Sequence, residues 1–408
     1  MSKKLLFIRG GFHKEFAYKS FIRMGYEMIM MDVADSKQLP LADYQYIIND
    51  IRDTEEIYKV AKKIYNEIGF DGIVTFMNSP VKAIGRLCDE LGFDYFSEET
   101  GTILADKLLV RQKLAELPKG NVKCREITSL EDAMSAAEYL GYPFVMKPTD
   151  TASSEGVSIV KNKNQIQVAY KTAYESSFNK HLIAEEYIEG KEHCAEVIVV
   201  NGEPYIIDIS MKIIDENSSS IELIDITPSP MYDEIYKEVE DYLSQVARQL
   251  AIRNWLLHIE FKIFENEIKI IEVNPRAAGG NLLESEWHLH GINIYELLYR
   301  VVLNERNEAN KIISSKRKGN INYTAFYSYI SPDVEGVVKC ISGIDNVRNQ
   351  MRPNERIQLY IRKGDAIHHP TSNDDFRGTM YLMGTDYHEV LERLNKYEKM
   401  IEISVESE

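Results

Sequence analysis

Cysteine is scarce and scattered. The 408 residues contain four, Cys88, Cys124, Cys194 and Cys340, with no C-x-x-C pair. That argues against a disulfide framework and a cysteine-rich zinc site, and it fits free thiols in a reducing cytoplasm. Long apolar runs are also missing. "MIMM" at 28–31 and "VIVV" at 197–200 are far too short to span a bilayer, so no membrane partner is expected. The opening "MSKKLLFIRGG" has a short apolar run and no small-residue cleavage site, and reads as no secretory signal. Positive charge is outweighed, 48 Lys and Arg against 64 Asp and Glu, for a formal net charge of −16. A nucleic-acid backbone is therefore not an expected partner, because phosphate contacts need clustered cations. The one basic cluster, "SSKRKG" (314–319), reads as a solvated linker. No internal repeat is visible, and the G-x-x-x-x-G-K-[ST] phosphate loop is absent.

What remains is the composition of an ordinary soluble globular protein, 44% hydrophobic and 27% charged, in a chain too long for one compact core. The first hundred residues alternate strand and helix patterns: "KLLFI" (4–8), a helix ending before Gly25, "EMIMMDV" (27–33), "YIIND" (46–50), a helix over 53–68, "GIVTFM" (72–77) and a helix over 80–91. Such alternation predicts a parallel sheet with helices on both faces. One long helix is expected over 98–117. Ser129 starts another, with Asp132 three residues on as a capping box and Gly141 as the stop. From 181 onward the pattern is antiparallel, and Asn201-Gly202 between two apolar runs is a type I′ hairpin signal. A helix over 232–252 leads to "WLLHIEFKIF" and "IKIIEVN". "YTAFYSYI" (323–330) and a helix over 386–399 belong to a C-terminal subdomain.

In "IKIIEVNPRAAGG" (268–280) the strand carries Glu272, Asn274 and Arg276 at alternate positions, on one face. The preceding strand carries Glu260. A three-residue loop at 265–267 sets Glu260 opposite Glu272, Ile259 opposite Val273 and Phe261 opposite Ile271. A two-residue turn would pair Glu260 with Ile271 and mix polar with apolar on both faces, so the buried pattern favours the first register. Opposed carboxylates with Cβ atoms about 5 Å apart repel by roughly 3 kcal/mol at an effective dielectric of 20. A hard divalent cation held by the two carboxylates and the Asn274 amide would offset that repulsion. Arg276 would hold an anionic group beside it. Solvated acids on a surface hairpin are the plain alternative.

"FVMKPTDTASSEGVSIV" is a strand, a small-residue loop and a second strand. Lys147 ends the first strand. Ser153, Ser154 and Gly156 offer hydroxyls and close backbone N–H groups of the kind that cover phosphates. An ordinary hairpin loop is again the alternative. Lys107 in "ADKLLV" sits on a helix. In "AEEYIEGKE", Glu185 and Glu192 lie on either side of Gly190, where a strand leaving its sheet could present backbone groups to an adenine and a carboxylate to a ribose.

Taken together, "ADK" (105–107), "VMKP…SSEGV" (145–157), "EEYIEGKE" (185–192) and "HIEF…IEVNPR" (258–276) resemble, in order and spacing, the ATP-grasp superfamily. The Ser-Ser-x-Gly-Val loop and the "NPRAAGG" ending are most similar to the L-amino acid ligases that make dipeptides. The resemblance covers residues 1–300 well and the remainder loosely. It implies an α/β and α+β chain: a Rossmann-like domain over 1–95, a central ATP-grasp lobe with the phosphate lid over 96–190, a large lobe with the metal site over 191–310, and a C-terminal subdomain over 311–408. Such enzymes hold ATP between two lobes, pass its γ-phosphate to a carboxylate and let a nucleophile displace phosphate from the acyl phosphate. Carried onto this chain, Lys107 and Lys147 would neutralise the α- and β-phosphates, under a lid of Ser153, Ser154 and Gly156. Glu185, Glu186, Tyr187 and Ile188 would meet the adenine, and Glu192 the ribose. Glu260, Glu272 and Asn274 would hold Mg2+, with Mn2+ as a substitute. Arg276, with Lys147 and Glu272, would carry the catalysis, and Gly279 and Gly280 would allow close approach to the substrate carboxylate. ATP and small carboxylate and amine substrates are the implied partners, and a homodimer is the implied assembly.

Three other readings share parts of this pattern. The acyl phosphate could be attacked by the thiol of an acyl carrier protein instead of an amine. A non-catalytic ATP-binding module would keep the site without turnover. An NAD-dependent enzyme would use Asp32, some twenty residues after Gly10-Gly11, but "RGGFHKEF" lacks the G-x-G-x-x-G fingerprint. The polar stretch 210–230, with Lys212, Glu216 and Ser218–Ser220, reads as a substrate loop. His288 and His290 follow the glycines on a helix, where one could reach the substrate.

Overall fold

The computed structural model describes all residues except 1, 10–13, 216–220, 266, 280–281, 316–321, 329, 331–332, 371–372, 374, 376 and 407–408. The chain divides into two compact units, each gathered from three separated stretches. It is a mixed α/β protein, as its alternating patterns predict. The four cysteines are free thiols, and no helix among the described residues is long and apolar enough to cross a membrane.

The first unit comprises Met1–Cys124, Cys194–Asp208 and Asp233–Arg317. It opens with a parallel sheet in the order Tyr44–Ile47, Glu27–Asp32, Lys4–Ile8, Gly72–Thr75. Its central strands are buried on both faces, as parallel sheets require, with Leu5, Leu6, Ile8, Ile29 and Ile73 fully enclosed. The 53–68 pattern becomes the helix Thr54–Ile68, capped by the Asp53 carboxylate, which accepts from the N–H groups of Glu55 and Glu56. This unit also carries the hairpin of Trp255–Phe264 and Glu267–Asn274, which lies beside Lys191–Val200 and then Glu203–Ile214. Asn201 and Gly202 join those last two strands with φ of +56° and +81°, the doubly left-handed turn that Asn-Gly favours.

Two expectations change here. The helix expected over 98–117 is broken into Glu98–Leu104 and Lys107–Leu114. Asp106 causes the break: its carboxylate accepts from the N–H groups of Leu108 at 2.8 Å and Leu109 at 3.1 Å, capping a new helix start. Lys107 thereby becomes the first residue of a helix. The hairpin register is a compromise between the two alternatives. At the tip Phe264 pairs with Glu267 and Phe261 with Ile270, the register of a two-residue turn, and a bulge beyond Phe261 restores Glu260 opposite Glu272. Ile271 is the extra residue. Arg111, buried on the Lys107–Leu114 helix, donates to the carbonyls of Ile270 at 2.6 Å and Ile271 at 2.8 Å, satisfying the backbone at the bulge.

The second unit comprises Arg125–His193, Ile209–Tyr232 and Lys318–Glu408. One sheet runs Cys124–Ile127, Leu182–Glu186, Phe144–Pro148, Ser158–Val160. Phe144, Met146, Leu182 and Ala184 enter a core with the helices Leu130–Leu140 and Ile166–Ser176. By strand alternation, Val145, Lys147, Ile183 and Glu185 occupy the opposite face. Ser129 caps its helix by accepting from the Asp132 N–H, as expected, while the Asp132 carboxylate returns to Thr128 instead of Ser129. A run of neighbouring antiparallel strands, Glu222–Thr227, Tyr323–Tyr327, Gly378–Gly384, Arg356–Leu359, packs against the helix Tyr387–Lys399. The 210–230 stretch is mostly strand, not loop: Met211–Ile214 pairs antiparallel with Glu222–Ile226. Glu216 and Ser218–Ser220 lie outside the described residues. Alternating burial across a polar segment explains the difference, since Met211 and Ile226 enter the core.

Candidate active site

In the first unit the structure gathers Lys107, Glu260, Glu272, Asn274 and Arg276 around the hairpin. Glu260 and Glu272 face each other across the strands. Each has its own cation. Lys107 Nζ lies 3.1 Å from Glu272 Oε1, which its place at the helix start and the Arg111 anchor one turn later make possible. His258 Nε2 lies 3.2 Å from Glu260 Oε1, and its Nδ1 lies 2.6 Å from Glu196 Oε1. Burial alone would depress this imidazole, but the carboxylates of Glu196 and Glu260 outweigh it and raise its pKa to about 9. His258 is therefore a cation at neutral pH and relieves part of the repulsion that the sequence implied.

Asn274 is buried and accepts from Asn78 Nδ2 at 2.7 Å. A carbonyl oxygen has two lone pairs, so this bond leaves room for a second partner on the same atom. The set of two carboxylates, one amide oxygen and adjacent exchangeable cations suits a hard divalent ion. Arg276 follows the turn at Pro275, whose carbonyl accepts from the buried Trp255 indole at 2.8 Å. Arg276 Nη1 donates to the Ala277 carbonyl at 2.9 Å. Gly279 stands in open space, with nothing near a Cβ placed on it. Gly280 lies outside the described residues.

In the second unit Lys147 and Glu185 form a buried ion pair, Nζ to Oε2 at 2.7 Å, with side chains 7% and 5% exposed. The Glu185 carboxylate thus meets an ammonium, where the resemblance implied an adenine. Glu186 ends its strand; Tyr187 and the buried Ile188 follow it, and Glu192 is the second residue of Lys191–Val200. The loop between the Lys147 and Ser158 strands is tightly wound. Ser153 and Ser154 have φ of +56° and +59° and Gly156 +76°. A Cβ on Gly156 would lie 2.8 Å from Pro148 and Ser176, so glycine is required there.

Asn373 is a functional candidate that sequence reasoning missed. Its N–H donates to the Ser153 carbonyl at 3.0 Å, its Nδ2 to Ser154 Oγ at 3.3 Å, and its Oδ1 accepts from the Glu222 N–H at 3.0 Å. The C-terminal stretch therefore grips the serine loop. Arg111, His258 and Glu196 were also missed. No local motif marks them, although His258 lies two residues before Glu260, on the same strand face. Of the other histidines, His290 pairs with Asp208 at 2.5 Å and His288 lies 3.7 Å from Glu284 on its own helix. Lys212 pairs with Glu222 at 2.7 Å.

Known proteins agree with this architecture. Residues 140–284 match the ATP-grasp domain, and residues 328–406 match the L-amino acid ligase C-terminal domain 2. The chain thus carries an ATP-grasp domain. Within that superfamily the chain is like the L-amino acid ligases, whose C-terminal domain it carries. It is 24% identical over 271 residues to an alanine–anticapsin ligase of Bacillus amyloliquefaciens, covering 61% of this chain and 57% of that protein. It is 23% identical over 262 residues to an L-arginine-specific L-amino acid ligase of Bacillus subtilis, covering 62% and 63%. The chain thus matches less than two thirds of the length of either relative. The crystal structure of an L-amino acid ligase from Bacillus licheniformis superposes with a TM-score of 0.83 at 19% identity, over 100% of this chain and 99% of that one. That likeness concerns the fold.

Proposed function

We propose that this chain joins a small carboxylate, in the first instance an amino acid, to an amine at the expense of ATP, through an acyl phosphate and with release of ADP and phosphate. The observation that carries the reading is Glu272 set opposite Glu260, with Asn274 two residues on at the strand's end, Arg276 past the turn that follows, and Lys107 Nζ 3.1 Å from Glu272 at the helix start capped by Asp106. Phosphoryl transfer is mostly positioning and charge stabilisation, and asks for no protein nucleophile. Magnesium bound by Glu260, Glu272 and Asn274 would supply charge neutralisation for ATP phosphates.

The chain's own residues divide the remaining work. Lys107 and Lys147 neutralise phosphate oxygens, and the N–H groups and hydroxyls of the Ser153–Gly156 loop cover them. Glu185, paired with Lys147 at 2.7 Å, fixes its direction. Tyr187 and Ile188 offer the backbone edge for adenine, and Glu186 and Glu192 the polar contacts around the nucleoside. Arg276 stabilises charge on the transferred phosphoryl group. The carboxylate oxygen attacks the γ-phosphorus, and ADP departs. The amine then attacks the acyl carbon, loses a proton, and phosphate leaves with the former carboxylate oxygen. Free thiols on all four cysteines fit a cytoplasmic setting.

The test is product analysis with ATP, magnesium, the twenty L-amino acids and hydroxylamine. ADP together with an amino-acid hydroxamate is expected, and the mass of the hydroxamate names the donor. AMP and pyrophosphate would refute the mechanism.

A further inference from the structure

Lys14 is a buried lysine that has no ion-pair partner among the described residues. It stands just before the helix Glu15–Arg23 and is 5% exposed. Its ammonium donates to the Ala278 carbonyl and to the Tyr295 hydroxyl, the latter at 3.2 Å. The same nitrogen lies 5.7 Å from the ring centres of Phe76 and Tyr295. These partners are dipoles and ring faces, not charges. An ammonium has three donors, so one N–H remains to be satisfied.

A second cation stands close by. Arg276 donates to the carbonyl of Ala277, so two consecutive carbonyls each hold a cationic side chain. Burial, with repulsion from Arg276 added and Glu196 partly opposing them, pulls the Lys14 pKa from its ordinary 10.5 down to about 7. Asn274, two residues before Arg276 and 1% exposed, has an amide nitrogen with no acceptor among the described residues. Lys14 and Arg276 thus stand side by side on consecutive carbonyls with no anion between them among the described residues. Driving two cationic groups together costs free energy. One small anion accepting from both would offset that cost.

We infer that Lys14 is a substrate-binding residue: with Arg276, it holds the carboxylate of the acyl donor beside the Ala277–Ala278 backbone. This inference rests on the ligase reading above. The carboxylate is favoured over an ATP phosphate because Lys107 and Lys147 already provide the phosphate cations, on other elements. Lys14 belongs to the first sheet's helix layer, so the N-terminal stretch would take a direct part in substrate recognition.

The test uses the full chain loaded with magnesium and a non-hydrolysable ATP analogue, AMP-PNP. Calorimetry ranks the twenty L-amino acids, and the strongest binder is then compared with its own primary amide. Lys14→Met should weaken the acid by about tenfold or more, while leaving the amide and AMP-PNP within about twofold. Equal weakening of acid and amide would mean that Lys14 only shapes the loop, and would overturn the inference. So would a loss of AMP-PNP affinity, which would make the anion a phosphate, or a wild-type chain that binds none of the twenty. Should the methionine variant fail to fold, Lys14→Gln is read in the same way. Turnover does not enter these titrations. A chain that makes no ADP yet shows the acid-selective loss would therefore remove the ligase reading and keep the site.

Discussion

The Lys147–Glu185 pair offers a test of whether nucleotide phosphates reach Lys147. Glu185→Gln keeps the shape and removes the charge. At 2.7 Å the pair's Coulomb attraction is about 6 kcal/mol at an effective dielectric of 20. Removing the carboxylate also removes the cost of burying it, so the net loss on breaking such a pair is about 3 kcal/mol. If the second unit melts as one block, the melting temperature should fall by roughly 6–12 °C. The diagnostic part is the rescue. In the wild type, ATP adds a second anion to an ammonium that already has one. In the variant the phosphates become its only counter-charge, so ligand binding relieves the defect. The assay is thermal unfolding by circular dichroism, with and without saturating magnesium and AMP-PNP. The stabilisation by ligand should be larger in Glu185→Gln than in the wild type by at least about 1.5 kcal/mol, half of the deficit. Equal stabilisation in the two proteins would show that Lys147 does not face the phosphates.

Three further outcomes are expected. Glu272→Gln should raise the magnesium concentration for half-maximal activity by about thirtyfold, near 2 kcal/mol, with an unchanged far-ultraviolet spectrum; an unchanged magnesium requirement would remove Glu272 from the metal set. Asn373→Ala deletes the side-chain bonds to Ser154 and Glu222, worth about 1 kcal/mol each, and should speed hydrogen exchange in 150–157 by about tenfold, read by mass spectrometry; unchanged exchange would mean the grip on the loop is idle. His193 is fully buried, and burial lowers its pKa from 6.5 to about 4. The unfolded chain therefore binds the extra proton between those values, so stability is full above pH 6.5, falls as pH drops through this window, and is lower by about 3 kcal/mol below pH 4. His193→Phe should flatten that part of the urea-denaturation profile, and an unaltered slope would contradict the assignment.

Part of the site's geometry was legible because it is local. The alternation of Glu272 and Asn274 is a strand period with buried Val273 between them, so that part of the face could be read directly; the strand ends at Asn274, and Arg276 lies past the turn at Pro275 instead of on the strand. The Glu260–Glu272 pairing was also recoverable, but for an incomplete reason. The tip has the short-turn register, and only the bulge at Ile271 brings the acids opposite; nothing in "KIIEVN" marks a bulge, which depends on Arg111 reaching from 160 residues away. The helix break at Asp106 had a sequence signal, an Asp followed by helix formers, which the apolar periodicity on either side concealed. Glu185 could not be placed, because its partner Lys147 is set by the register of two strands 38 positions apart. Asn373 lies in a polar stretch without periodicity, and its importance comes from where the C-terminal chain folds back.

The central claim, that a carboxylate is activated by the γ-phosphate, is tested most directly with oxygen isotopes. The chain is supplied with ATP, magnesium, an amine acceptor pool and amino acids labelled with oxygen-18 in the carboxylate, and the products are weighed by mass spectrometry. The account predicts one labelled oxygen in the released phosphate, with ADP as the other nucleotide product. Label in AMP, or phosphate released without label, would contradict it.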